Sequence, residues 1–205
     1  MDRRNGQASL RTQRFPLRTR EMDRFKFGKM WYLQTANSQF KKTLFSLDIG
    51  SGHLPFPWAS VVCDLYTGRV PDRSMRELST GGKPFLHCDA HFLPFRDQSF
   101  EFATCYYLLE HLDYPSKVMR EIRRVSRHGY VQSPSWFDEI VYGDEMHKWY
   151  MTSRDGELYM RPKVAGWLNP CFGFLSHKLY RSHIWRIMHA ILDETLHLFT
   201  VSKVF

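Results

Sequence analysis

The sequence predicts an α/β fold, a doubly wound and mostly parallel sheet, on three observations. Five short apolar runs are bounded by turn residues, the first three end at or just before an aspartate, and crossovers separate successive runs. A chain of 205 residues holds one such domain with its core and is too short for two with linkers.

The strands come in order as "TLFSLDIG" (43–50), "ASVVCDL" (59–65), "PFLHCD" (84–89), "FEFATCYY" (100–107) and "GYVQSPS" (129–135). Their continuous apolar character suits strands buried on both faces. Between the first two, Pro55 and Pro57 break the expected crossover helix, so that helix is truncated. "PDRSMRELS" predicts a short helix over 71–79. "YPSKVMREIRRVSRH" predicts a longer one, with Val118, Ile122 and Val125 at helical spacing and basic residues opposite.

After residue 135 the rhythm changes. "HKWYMTSRDGELYMRPK" predicts two strands joined across Asp155-Gly156, an inserted β-hairpin within about 136–168. A closing amphipathic helix is expected over 176–192, then a last strand in "HLFTVSKVF". The predicted organisation is a basic, disordered leader over 1–24 and a single domain over 25–205.

The net charge of +8 is concentrated in that leader: residues 1–30 hold nine basic and three acidic side chains. Three readings stay open for it: a solvated tail, a grip on an acidic partner such as nucleic acid, or a targeting segment. No apolar run reaches the roughly 20 residues of a membrane span, so a soluble protein without a membrane role is expected. Cys63, Cys88, Cys105 and Cys171 show no paired spacing, which predicts reduced thiols and a cytoplasmic setting. The cluster His87, Cys88 and His91 lacks a second ligand pair, so no metal is expected.

In open parallel sheets ligands bind beyond the carboxyl ends of the strands, where strand order reverses. Asp48 with Gly50, Ser51 and Gly52, then Asp64, Asp89 with Ala90, and Tyr106 with Tyr107 all fall at such ends. A dinucleotide is disfavoured. The third glycine of GxGxxG is missing, and Asp64 follows Gly50 by only 14 residues. The absence of GK[ST] excludes a P-loop. S-adenosylmethionine (SAM), a nucleoside with a zwitterionic tail and no phosphate, suits the glycine turn and the carboxylates better.

Together "LDIGSG", "VVCDL" and "HCDAHFLPFRDQSFEFATCYYLLEHLDYPSKVMREIRRVSRHGYVQSPS" resemble the class I SAM-dependent methyltransferases over about residues 44–135. The resemblance is to the methyltransferase type 11-like group with the D-A-x-x-L-P-F-x-D-x-S-F-D and L-E-H-L signatures. A subset with a shortened GSGxxPxP loop and a later HxWxxxxxDGxLxxxPK segment is the most similar; His147, Trp149, Asp155, Gly156, Leu158, Pro162 and Lys163 carry that segment here. The resemblance implies a Rossmann-like sheet of the methyltransferase type and SAM as cofactor. It implies that Asp48, Gly50, Ser51 and Gly52 line the methionine end. Asp64, beside Leu65, would take the ribose hydroxyls, and Asp89 and Ala90 would face the adenine. Tyr106 and Tyr107 would lie near the methyl-bearing sulfur, with at least one of them packed in the core.

Methyl transfer from a sulfonium needs alignment more than a nucleophile, and a base mainly when the acceptor is a hydroxyl. His111, just past the fourth strand, is the first candidate base. His147 is the second, on a hairpin expected to fold over the cofactor mouth. The fourth strand lacks the [DNS]-P-P-[YFW] motif associated with amino-group acceptors, reading "CYYLLEHL" instead. The expected acceptor is a hydroxyl of a small molecule or glycan. The alternatives are action on nucleic acid or protein through the leader, and a binding or scaffold protein without turnover.

Overall fold

The computed structural model describes residues 13–16, 45–141, 144–154, 157–163 and 200–204. Six strands form the main sheet: β2 (Ser46–Ile49), β3 (Val61–Asp64), β4 (Phe85–His87), β5 (Phe100–Tyr106), β6 (Ser126–Pro134) and β9 (Thr200–Val204). Their order is β4-β3-β2-β5-β6-β9. The first five run parallel, and β9 pairs antiparallel with β6. All four residues of β2 are buried, as its central place requires. Strand order reverses between β2 and β5, so the crevice at their carboxyl ends is where a ligand site belongs.

One helix follows the predicted pattern. α1 (Pro115–Val125) starts with proline, whose missing N–H costs nothing in the first turn. It buries Val118, Met119, Ile122 and Val125. These join Leu47, Ile49, Ala103 and Val131 in one core. The chain then passes directly into β6, where the Ser126 hydroxyl donates to the Ile122 carbonyl at 2.7 Å.

The β2–β3 crossover contains no helix, as the prolines predict. Phe56 and Ala59 instead drop into a second apolar cluster with Val62, Phe102 and Tyr130, so the loop covers that face of the sheet. The helix expected over 71–79 does not form. Pro71–Arg73 makes one 3-10 turn, and Ser74 and Met75 take the left-handed backbone (φ 50° and 59°), which stops propagation.

The hairpin is present as β7 (Trp149–Arg154) and β8 (Glu157–Pro162), preceded by a short helix, α2 (Trp136–Val141), that the sequence pattern did not suggest. It is no loose appendage: Trp149, Met151, Leu158 and Met160 belong to the main core. The leader is corrected at one place. Gln13–Pro16 is a strand, β1, pairing antiparallel with the outer edge of β8. An uncovered strand edge offers a row of backbone donors and acceptors, and a nearby extended segment satisfies them whatever its charge. The rest of the leader, the Asp155-Gly156 turn and the helix expected over 176–192 lie outside the described residues. Among the described residues no helix is long and apolar enough to cross a membrane.

Candidate active site

A cleft of about 300 Å³ opens at the carboxyl ends of β2, β3, β4 and β5. Its floor is the turn after β2. Gly50 and Gly52 have φ of 69° and 57°, a region that a side chain enters only with strain. A Cβ on Gly50 would come within 2.8 Å of the Leu108 side chain. The turn is tied to β3 by the Gly50 and Ser51 amides, which donate to the Cys63 carbonyl at 2.9 and 3.1 Å. Gly52 N–H donates to Asp64 Oδ2 at 2.9 Å.

Of the predicted cofactor residues, Gly50, Gly52, Asp64, Leu65, Asp89, Ala90 and Tyr107 line the cleft, and His111 stands on the same wall. Asp89 holds its shape through Oδ1, which accepts from the His91 amide and meets the His91 ring nitrogen at 2.8 and 2.7 Å. Partial burial works to raise its pKa, but the His91 bonds win and hold the carboxyl below its usual range. Oδ2 is left for a ligand.

Three predicted residues stand elsewhere. Asp48 is 3% exposed and is not on the cleft wall. Its Oδ2 accepts from the Phe56 amide at 2.8 Å and its Oδ1 from the Thr104 hydroxyl at 2.7 Å. It braces the short crossover from beneath, and burial pushes its pKa up to about 6 against those two bonds. Ser51 is buried behind the glycines, its hydroxyl without a hydrogen-bond partner. Tyr106, the last residue of β5, is not on the cleft wall; its ring packs against Tyr130 with centroids 5.4 Å apart and lies 5.8 Å from that of Tyr107. Burial first, then Tyr130, drives its phenol pKa upward. Tyr107 (φ 47°) faces the cleft, its hydroxyl accepting from Gln132 Nε2 at 2.9 Å.

Sequence reasoning missed Arg73. It is 8% exposed in the cleft wall, with Nη1 3.4 Å from Asp64 Oδ1 and donating to the Tyr66 carbonyl at 2.8 Å. Asp64 Oδ1 also accepts from the Tyr66 amide at 2.8 Å. The acid at the end of β3 is therefore already partly engaged by protein. No local pattern signals this, because the left-handed residues after Pro71–Arg73 decide where Arg73 points.

Behind the cleft lies a second polar centre. The His111 and His147 rings meet edge to face, centroids 4.6 Å apart. His147 is not on the cleft wall but its neighbour Lys148 is, and Trp149 Nε1 donates to the Leu112 carbonyl at 2.7 Å, anchoring the start of the hairpin beside the cleft. His147 Nδ1 is bonded to Glu139, whose other oxygen accepts from Lys163 Nζ at 2.8 Å. Burial alone would lower the His147 pKa, but Glu139 and Glu110 raise it on balance. Glu110 is fully buried; its Oε2 accepts from the Ser133 hydroxyl at 2.9 Å and its Oε1 has no hydrogen-bond partner. Burial pushes the Glu110 carboxyl up to about 7.

Residues 47–131 match the family model described as "Methyltransferase domain", and 77 residues are 32% identical to the ubiquinone/menaquinone biosynthesis C-methyltransferase UbiE of Desulfotalea psychrophila. Residues 47–131 of this chain are thus similar to the class I SAM-dependent methyltransferases. The UbiE match covers 38% of this chain and 31% of the relative, so the chain spans about a third of the curated protein it resembles. Among solved structures, the YcgJ protein of Bacillus subtilis is 25% identical over 51% of this chain and 54% of that one, with a TM-score of 0.39. A SAM-dependent methyltransferase of Mesorhizobium loti is 13% identical over 78% and 89%, with a TM-score of 0.44. The methyltransferase domain thus holds the sheet from β2 into β6 and every predicted cofactor residue. His147, Trp149 and Lys163 come from the hairpin outside the matched span.

Proposed function

We propose that this methyltransferase transfers the methyl group of SAM to a hydroxyl of a small molecule or glycan, with the cofactor held in the cleft after β2. The observation that carries the reading is the convergence on one cleft of the glycine turn, the acids ending β3 and β4, and His111. The donor set fits SAM: Asp89 for the purine amine, what acceptor capacity Asp64 keeps for a ribose hydroxyl, and apolar Leu65 and Ala90 for a ring, while the permanent cations on the wall, Arg73 and Lys148, already stand beside the carboxylates of Asp64 and Asp113. When bound, SAM supplies a methyl group on a leaving group that is already activated.

The chain's own residues then have limited tasks. Gly50 and Gly52 bring backbone close to the ligand. Asp89 Oδ2 accepts from the purine amine, and Leu65 and Ala90 flank the ring. Asp64, with two backbone donors and Arg73 already on it, has little acceptor capacity to spare for a ribose, since a carboxylate offers about four lone-pair sites. Tyr107 lines the wall facing the acceptor. His111 takes the proton of the acceptor hydroxyl.

Calorimetry on the full chain tests the reading. SAM and S-adenosylhomocysteine should both bind, and Asp89→Ala should weaken each by about 10-fold or more, the effect of losing a hydrogen bond to a charged group. A correctly folded chain that binds neither would sink the proposal. The Arg73–Asp64 contact favours a second reading, a binding module without turnover; cofactor binding with no methyl transfer to any of a panel of hydroxyl acceptors would favour it.

A further inference from the structure

The strongest feature that the cofactor cleft does not use is the trio Glu110, His111 and His147. Each offers one ligand atom, and the three atoms lie within 4.8 Å of one another. Glu110 comes from the 3-10 turn after β5 and His147 from the residues leading into β7, so their separation of 37 positions hid the group from any spacing rule. Two observations mark it as more than a packed polar cluster. Glu110 is 0% exposed, yet Oε1 has no partner; a buried carboxylate oxygen left unpaired destabilises the fold unless something meets it. His147 gives Nδ1 to Glu139, and its Nε2 lies 3.7 Å from the nearest carboxylate, Asp144, too far for a hydrogen bond. A carboxylate that fixes one ring nitrogen and turns the other toward a common point is the usual support of a metal-binding histidine.

We infer that Glu110, His111 and His147 form a site for a divalent transition-metal cation of the zinc, iron(II) or manganese class. Two imidazoles and one carboxylate make a three-ligand set that leaves coordination positions open. Metal–ligand bonds of about 2.1 Å place donors roughly 3.4 Å apart, so side-chain shifts of about 1 Å close the trio. Lys163 neutralises Glu139 and leaves Glu110 as the anionic ligand. His111 is the member on the cleft wall, so the trio adjoins the cleft through that one side chain. The proposal departs from the expectation of no metal, which considered only His87, Cys88 and His91. The cation's role rests on the methyltransferase reading and replaces His111 as the base: with His111 held as a ligand, an acceptor oxygen bound to the cation would be polarised and would release its proton to solvent water more readily.

The test uses tag-free full-length protein stripped with a chelator, titrated with Zn²⁺ by calorimetry and with Co²⁺ by visible absorption. One equivalent per chain should bind, with Co²⁺ bands of a nitrogen- and oxygen-ligated ion. His147→Ala and His111→Ala should each weaken binding at least 10-fold. Glu139→Gln, which reaches the cation through His147 and also unpairs Lys163, should weaken it 10- to 100-fold with a native circular dichroism spectrum. Because Glu110→Gln alters the core, it counts only if its circular dichroism is native; the two histidine variants decide otherwise. Absence of saturable binding, or binding unchanged in both histidine variants, overturns the site. SAM binding measured in parallel separates the two proposals: a chain that binds SAM but no cation loses this site and keeps the function, and the converse keeps the site and loses the function.

Discussion

Asp48 shows how one side chain can be essential to a ligand site without touching it. The crossover after β2 lacks a helix, and the Asp48 carboxylate holds Phe56 N–H and Thr104 Oγ1 in its place. Burial raises its pKa to about 6 from 3.8. For a carboxyl raised on folding, the folded state binds more protons than the unfolded one between those values. Its contribution to stability is full below about pH 4 and is lost as pH rises to about 6. The urea midpoint of the native chain should therefore fall across that window, and Asp48→Asn should lack that part of the slope. A native slope identical to that of the variant would contradict the assignment. That aspartate, glycine and glycine would share a turn was legible in the sequence. That the aspartate would face down and not into the cleft was not, because the same residue types serve both purposes.

At the scale of elements, Arg124 explains the loop between β4 and β5. From the end of α1 it donates to the Leu93 and Phe95 carbonyls at 2.8 and 2.7 Å. It also bonds Glu121 and, at 2.9 Å, Asp97, while Glu121 Oε2 accepts from the Leu93 amide at 2.9 Å. The "LPFRD" signature is thus a loop stapled to a helix, read at both ends by one planar fork. Arg124→Lys keeps the charge but cannot reproduce five donors in that geometry. It should cost about 1–2 kcal/mol, discounted for the partly exposed setting, and speed hydrogen exchange at the Leu93 amide; unchanged exchange there would show that the loop stands without the staple. Strands β2 to β6 and helix α1 were legible because burial on one or both faces imposes a period on the sequence. The failed helix over 71–79 was not, because two non-glycine residues in the left-handed region leave no pattern.

At the scale of the whole molecule, the described residues form two sheets that share one core, and Gln13–Pro16 belongs to the smaller of them. Sequence could not reveal this, since β1 and β8 pair across more than 140 positions and pairing depends on an available edge. Deleting residues 1–24 should therefore uncover β8. Expected outcomes are a lower melting temperature and concentration-dependent association seen by light scattering, both insensitive to added nucleic acid. A truncated chain as stable and monomeric as the native one would return the leader to the role of a tail. The small sheet also reaches the cleft through backbone: Lys148 N–H donates to the Glu110 carbonyl at 2.7 Å, and Lys163 N–H to the Lys148 carbonyl at 2.7 Å. These rungs join the two ends of the hairpin to each other and to the turn after β5. Anyone grafting this hairpin onto a relative must move residues 148–163 as one cassette and supply a matching acceptor at position 110, because a seam placed inside that interval cuts the thread that registers one sheet on the other.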